Sequence, residues 1–114
     1  MPVELPWPAR ELSPNFRAST HWPRTKAVRR ARRDAFLLTM AAKTCRPFPP
    51  GDITVRLAFH PPTRAARDHD NLIASMKPAL DGIAEALGVN DSRFRISMEI
   101  GAVGKPGKVL VTVG

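Results

Sequence analysis

From Asp52 to Phe59 the chain alternates strictly: Ile53, Val55, Leu57 and Phe59 are large and apolar, and Asp52, Thr54, Arg56 and Ala58 separate them. A period of two places the first set on one face of a pleated strand and the second on the other, so this is a strand with one buried face. A strand cannot pair its own backbone N–H and C=O groups, so the rest of the chain must supply neighbours. The same period returns in Met1 to Leu5, where Val3 and Leu5 alternate before Pro6-Trp7-Pro8 stops the run. It returns again in Phe94, Ile96, Met98 and Ile100, and in Val109, Val111 and Val113. Gly101 to Gly107 reads as a hairpin loop joining these last two. His60-Pro61-Pro62 closes the central strand, and Cys45 to Gly51, with Pro47, Pro49 and Pro50, is a connection.

Two segments switch to a helical period. At about 100° per residue, Leu72, Met76, Ala79, Leu80, Ile83 and Leu87 form one stripe of a helix running from Leu72 to Gly88. Asp70, Lys77 and Asp81 fall on the opposite side. Asp68 or Asp70 can cap its start, and Gly88 is its stop. Pro78 removes a hydrogen bond and crowds the preceding turn. Either the helix kinks there, or a first piece ends near Met76 and the main helix begins near Pro78. From Arg24 to about Lys43, Val28, Ala31, Ala35, Leu38 and Ala42 recur at steps of three and four. Phe36 to Ala42 is apolar nearly all round, which implies deep burial or a partner helix and makes it a candidate dimer interface. Trp7 is expected in the core. The order strand, helix, strand, helix, strand, strand gives an α+β fold: one domain over residues 1–114, with a mixed β-sheet of about four strands covered by two helices.

Eighteen Lys and Arg stand against ten Asp and Glu, a formal charge of +8 in 114 residues. Such an excess points to a polyanion, and nucleic acid is the usual one, because Lys and Arg displace the counterions condensed on phosphates. The cations are clustered. Arg24, Lys26, Arg29, Arg30, Arg32 and Arg33 share one stretch with no acid among them, at the helix end where positive charge opposes the dipole. Arg24, Lys26, Arg29, Arg30 and Arg33 are therefore assigned to nucleic-acid phosphates, together with Arg64 and Arg67, which precede Asp68 and Asp70. The loop from Ala9 to Pro23 adds Asn15, Arg17, Ser19, Thr20 and His21 as hydrogen-bond donors. Arg64 and Arg67 have a second reading, as partners that relieve repulsion between Asp68 and Asp70.

A single cysteine, Cys45, excludes an internal disulfide and a thiolate pair for zinc. No apolar run approaches 18 residues, and the opening ten carry three prolines in place of a signal-peptide core, so a cytoplasmic protein without membrane attachment is expected. His21, His60 and His69 lack zinc-ligand spacing. An EF-hand is excluded by Ile73 at the sixth loop position and Ala79 at the twelfth, counted from Asp68.

Arg67-Asp68-His69-Asp70-Asn71 carries two carboxylates at the head of a helix, and Asn90-Asp91 supplies a third just after it. Such a set suits a hard divalent cation, which takes oxygen ligands. Each acid alone also fits a cap or a turn. Arg67-Asp68-x-Asp70-Asn71-Leu72, a helical Lys77, Leu80-Asp81 and the later Asp91 together resemble the RusA family of small Holliday junction resolvases. Leu5-Pro6-Trp7-Pro8 looks like that family's Leu-Pro-x-Pro opening, with Asn15 close behind. The resemblance implies that Asp68, Asp70 and Asp91 bind Mg²⁺, with Mn²⁺ able to substitute, and that Lys77 assists cleavage. The family's lysine follows the second aspartate by four residues, whereas Lys77 follows Asp70 by seven. The implied function is metal-dependent hydrolysis of phosphodiesters in two opposed strands of a four-way DNA junction, by a homodimer with two equivalent sites, in recombination and repair. The alternatives are a less selective flap or fork nuclease, and a non-catalytic basic module that binds nucleic acid.

Overall fold

The computed structural model describes residues 1–17, 22–44 and 47–114. Its elements are β1 (Pro2–Pro6), α1 (Trp22–Ala42), β2 (Ile53–His60), α2 (His69–Ser75), α3 (Lys77–Leu87), β3 (Phe94–Ile100) and β4 (Lys108–Val113), with single 3-10 turns at Arg10–Leu12 and Asp91–Arg93. The expected α+β fold with a mixed four-stranded sheet is what forms. Of the loop residues expected to donate hydrogen bonds, Ser19, Thr20 and His21 lie outside the described residues, as does Cys45.

The strand order is β1-β4-β2-β3. β2 runs antiparallel to β4, with Leu57 opposite Val111, and parallel to β3, with Leu57 opposite Met98. β1 is antiparallel to β4, with Val3 opposite Val111. The alternation therefore does what period two requires: Val3, Leu5, Val55, Leu57, Phe59, Val109, Val111 and Val113 all lie on one buried face. Helices α1 and α3 cover that face, and Ala35, Ala79, Leu80 and Ile83 complete the core with it.

Residues 101–107 are not a hairpin loop. β3 and β4 lie on opposite sides of β2, so the connection crosses the end of β2. Gly104 donates its N–H to Pro61 O (3.0 Å), and Gly101 donates to Phe59 O (2.7 Å). His60 Nδ1 lies 3.0 Å from Ala102 O. A Cβ at Gly101 would meet the His60 ring at 2.4 Å, so a glycine is what lets the crossing lie on it.

Of the two arrangements that Pro78 allows, the second forms: a first helix ends at Met76 and the main one starts beside Pro78. Met76 closes α2, donating to Ile73 O (3.0 Å), and α3 restarts at Lys77 with Pro78 in its first turn, where a missing N–H costs nothing. Gly88 ends α3 in the left-handed region, φ 67°, a conformation that favours glycine. The apolar stripe is otherwise as expected, with Leu72, Met76, Ala79, Leu80 and Ile83 buried.

α1 is turned away from its expected face. Ala35 and Thr39 are its buried residues, whereas Leu37 (52% exposed), Leu38 and Met40 (43%) look outward, so the second half is not deeply buried. The cause is the approach of α3: a Cβ on Gly82 would lie 2.2 Å from Arg32 O and 3.1 Å from Phe36 N, so the helices meet backbone to backbone along the Arg32–Phe36 side. Trp7 is half-buried at the core's margin, edge-on to Phe59 with ring centroids 5.9 Å apart.

Candidate active site

Lys77 is the first residue of α3, and Asp81 is one turn on, so their side chains meet at the spacing where helical neighbours face each other. Lys77 Nζ donates to Asp81 Oδ1 at 2.8 Å. It also donates to Asp91 Oδ2, from the 3-10 turn that follows α3. That turn is fixed by Asn90, whose side chain accepts the N–H of Ser92 (2.9 Å), and by Arg93, which donates to Gly51 O (2.8 Å). The ammonium thus lies between two carboxylates at a half-exposed position. The hydrogen bond to Asp81, then that to Asp91, holds the Lys77 ammonium above its ordinary range. The hydrogen bond from Lys77, helped by its charge, holds the Asp91 carboxyl below the usual carboxylate range.

Beside this cluster opens a cleft lined by Ile73, Ala74, Lys77, Leu80, Asp91 and Ile96. Asp70 sits in the first turn of α2, one turn before Ile73 and Ala74, which line the cleft, but is not itself among the lining residues. It is exposed and forms no ion pair with a described residue. Asp68 caps α2: its Oδ1 accepts the Asn71 N–H at 3.2 Å. It lines a separate depression with Trp7, Arg10, Ser13, Arg67 and Asn71. Among the described residues no three acids, histidines or cysteines converge as a ready metal site. The structure therefore joins Lys77 to Asp91, leaves Asp70 exposed in the first turn of α2 and outside the cleft's lining, and leaves Asp68 at the helix cap. Asp81, which the sequence places on one polar stripe with Asp70 and Lys77 but outside the expected ligand set, is the lysine's second partner.

The cations divide into two groups. Lys26, Arg29, Arg30 and Arg33 recur at i, i+3, i+4 and i+7 on α1, are exposed, and border one shallow depression with Asp34. None is ion-paired with a described residue, so this stripe is free for an anion. Arg24 is not: its guanidinium donates to Ser13 O and Phe16 O (both 3.0 Å), clamping the loop that carries Asn15. Those bonds also engage a charge that would otherwise oppose the dipole at the start of α1. Arg32 pairs with Glu85 of α3 at 3.1 Å and borders the same opening as Asp81 and Asp91. Arg67 pairs with neither Asp68 nor Asp70. It donates to Ala65 O (2.7 Å) and Thr63 Oγ1 (3.1 Å) and lies over the Trp7 ring, 5.2 Å from its centre. Arg64 is exposed.

No family model matches the chain. An uncharacterized protein of Xylella fastidiosa (strain Temecula1 / ATCC 700964) is 44% identical over 95 residues, which is 81% of this chain. The chain spans 61% of the length of that relative. Among the described residues no helix is long and apolar enough to cross a membrane.

Proposed function

We propose that this chain is a Mg²⁺-dependent endodeoxyribonuclease of the resolvase type, acting as a homodimer on branched DNA. The observation that carries the reading is Lys77 held between Asp81 and Asp91 beside a cleft, with Arg32 of α1 bordering the opening that Asp81 and Asp91 share. An ammonium at that point marks a place where carboxylates stabilise positive charge, and the donors there are all carboxylate oxygens, the type that Mg²⁺ or Mn²⁺ takes. The donor set thus fits the ion in kind: Asp91 on the cleft and Asp70 one turn before its α2 wall would hold it, with Asp68 at the cap of α2. Bound there, the ion would supply Lewis acidity and make a water acidic enough to attack a phosphodiester.

The chain's own groups do the rest. Lys26, Arg29, Arg30 and Arg33 bind backbone phosphates without reading sequence. Lys77, kept protonated by its two carboxylates, offers a hydrogen bond where negative charge grows on the phosphate. Asp81 keeps that ammonium aimed at the cleft. Two equivalent strands of a four-way junction call for two equivalent sites, which a two-fold dimer supplies.

The competing reading, a basic binding module, has one observation in its favour: Asp68 is a cap and Asp91 an ion-pair partner, roles that need no metal. A labelled four-way junction incubated with and without Mg²⁺ separates the two. Mg²⁺-dependent nicks in opposed strands support the nuclease; tight binding without nicks in Mg²⁺ or Mn²⁺ leaves the module. Competition by linear duplex and by flapped DNA then tests selectivity for the junction.

A further inference from the structure

The two edges of the sheet are unlike. β1 is five residues long and has a proline at each end, which blunts an edge against pairing. β3 is seven residues long, pairs with β2 alone, and contains no proline, lysine or bulge. Gly101 donates to Phe59 O, so along the unbroken ladder Glu99, Ser97 and Arg95 also turn their backbone groups toward β2. Phe94, Ile96, Met98 and Ile100 therefore point theirs outward. Ile96 (37% exposed) and Ile100 (45%) lie on the core side of the sheet, yet the helices do not reach over them.

We propose that this edge is where two copies of the chain join, β3 against β3 in antiparallel register centred on Ser97; this rests on the homodimer reading above and names its interface. The segment Phe94-Arg95-Ile96-Ser97-Met98-Glu99-Ile100 is complementary to itself under that two-fold. Arg95 falls opposite Glu99 of the second copy, twice, at non-hydrogen-bonded pairs, where opposed side chains are closest. Ile96 falls opposite Met98 and Phe94 opposite Ile100, and these are the residues whose backbone groups point outward, so their pairs exchange hydrogen bonds. A shift of two residues either way loses both Arg95–Glu99 pairs and one hydrogen-bonded pair. Glu99 has no ion-pair partner among the described residues; Arg95 pairs with the exposed Asp52, at 3.1 Å, and donates to Ser92 O (3.0 Å) and Phe94 O (3.1 Å), all exposed or half-exposed contacts that it can exchange for a carboxylate. The exposed apolar half of α1 lacks such a complement, since residues 35–44 contain no acid. The paired sheet has eight strands with both helix layers on one side. The two Lys77–Asp91 clusters then open on a common face, as two cuts in one junction require.

Sedimentation equilibrium of the whole chain and its variants tests this. The wild type should weigh twice 12.5 kDa at micromolar concentration. Glu99→Arg and Arg95→Glu should each weaken the dimer by about tenfold or more, since two attractive cross-strand pairs become repulsive. An equimolar mixture of the two variants should restore a dimer, because the paired arginines of one variant would then face the paired glutamates of the other. Met98→Pro removes only an outward N–H and should give a folded monomer by circular dichroism. Leu38→Ser with Met40→Ser on α1 should stay dimeric. A dimer unmoved by Glu99→Arg and Met98→Pro, or one lost with the α1 variant, would overturn the β3 interface and leave the homodimer reading standing. A wild-type monomer at every concentration would overturn both, and absence of Mg²⁺-dependent nicking would sink the nuclease without touching the interface.

Discussion

Replacing Gly82 by alanine sets two principles against each other with opposite signs. Gly82 lies inside α3, and in an ordinary helix interior Gly→Ala stabilises by about 1 kcal/mol through lower backbone entropy in the unfolded chain. Here the new Cβ would stand 2.2 Å from Arg32 O and 3.1 Å from both Arg32 C and Phe36 N. All three are backbone atoms, so no side chain can rotate away. The helices must part by about 1 Å to reach ordinary van der Waals separation. That opening loosens the packing around Ala35, Thr39 and Ile83, and overpacking of this kind costs about 1–3 kcal/mol, or more against rigid backbone. With the cost at about 3 kcal/mol and the propensity gain at about 1, the net loss is about 2 kcal/mol. At about 2 cal/mol/K per residue, 114 residues give an unfolding entropy near 0.24 kcal/mol/K, and the melting temperature should fall by about 8 °C. Calorimetry of the two proteins at one pH and salt reads this directly. A variant that melts at or above the wild type would refute the close approach of α1 and α3, and with it the reason given for the orientation of α1.

Asp91→Asn keeps the turn and removes the charge, so cleavage of a four-way junction should collapse while binding persists or tightens; full Mg²⁺-dependent cleavage would show the acidic site to be drawn wrongly. Replacing Arg29, Arg30 and Arg33 by alanine should flatten the log–log salt dependence of DNA affinity by roughly two to three units, and an unchanged slope would remove α1 from the DNA surface. Without Mg²⁺, the Asp91 carboxyl should titrate by NMR below its ordinary 3.8, and Lys77→Met should move it upward. The sign of the linkage follows: a depressed carboxyl contributes stability that is present above pH 3.8 and is lost as the pH falls through the folded value. The raised Lys77 contributes stability that is present below 10.5 and is lost only as the pH rises past its folded value. No change at Asp91 in Lys77→Met would mean that the pair does not persist in solution.

The strands could be read from the sequence because each buries one face, and Val55, Leu57, Val109 and Val111 declare that face by period two. Their neighbours could not. Period two is silent on which strand lies beside which, and the seven residues 101–107 serve equally well to return beside β3 or to cross β2. For α1 the apolar residues are spread around the helix, so the buried stripe is decided by Gly82 on another element, which no periodicity within α1 records. Pro78 announced a break but not its form; Met76 decides it by closing one helix while Lys77 opens the next. In the site, Lys77 and Asp91 were legible as a pair of functional types, and the Lys77–Asp81 contact as a spacing. The tasks of Arg24 and Arg67 were hidden, because both donate to backbone carbonyls, which every sequence contains.

The placement of β4 between β1 and β2 bears on how the chain comes to be folded. β1 pairs with β4 and with no other strand, and the Met1 amino group donates to Val113 O at 2.9 Å. As a ribosome extends the chain, Val3 and Leu5 emerge about a hundred residues before their partners Val111 and Val109. At roughly 5–20 residues per second, the opening strand waits several seconds or more with its apolar face uncovered. Its two prolines then have a second use: they make the waiting segment a poor template for the strands of other nascent chains.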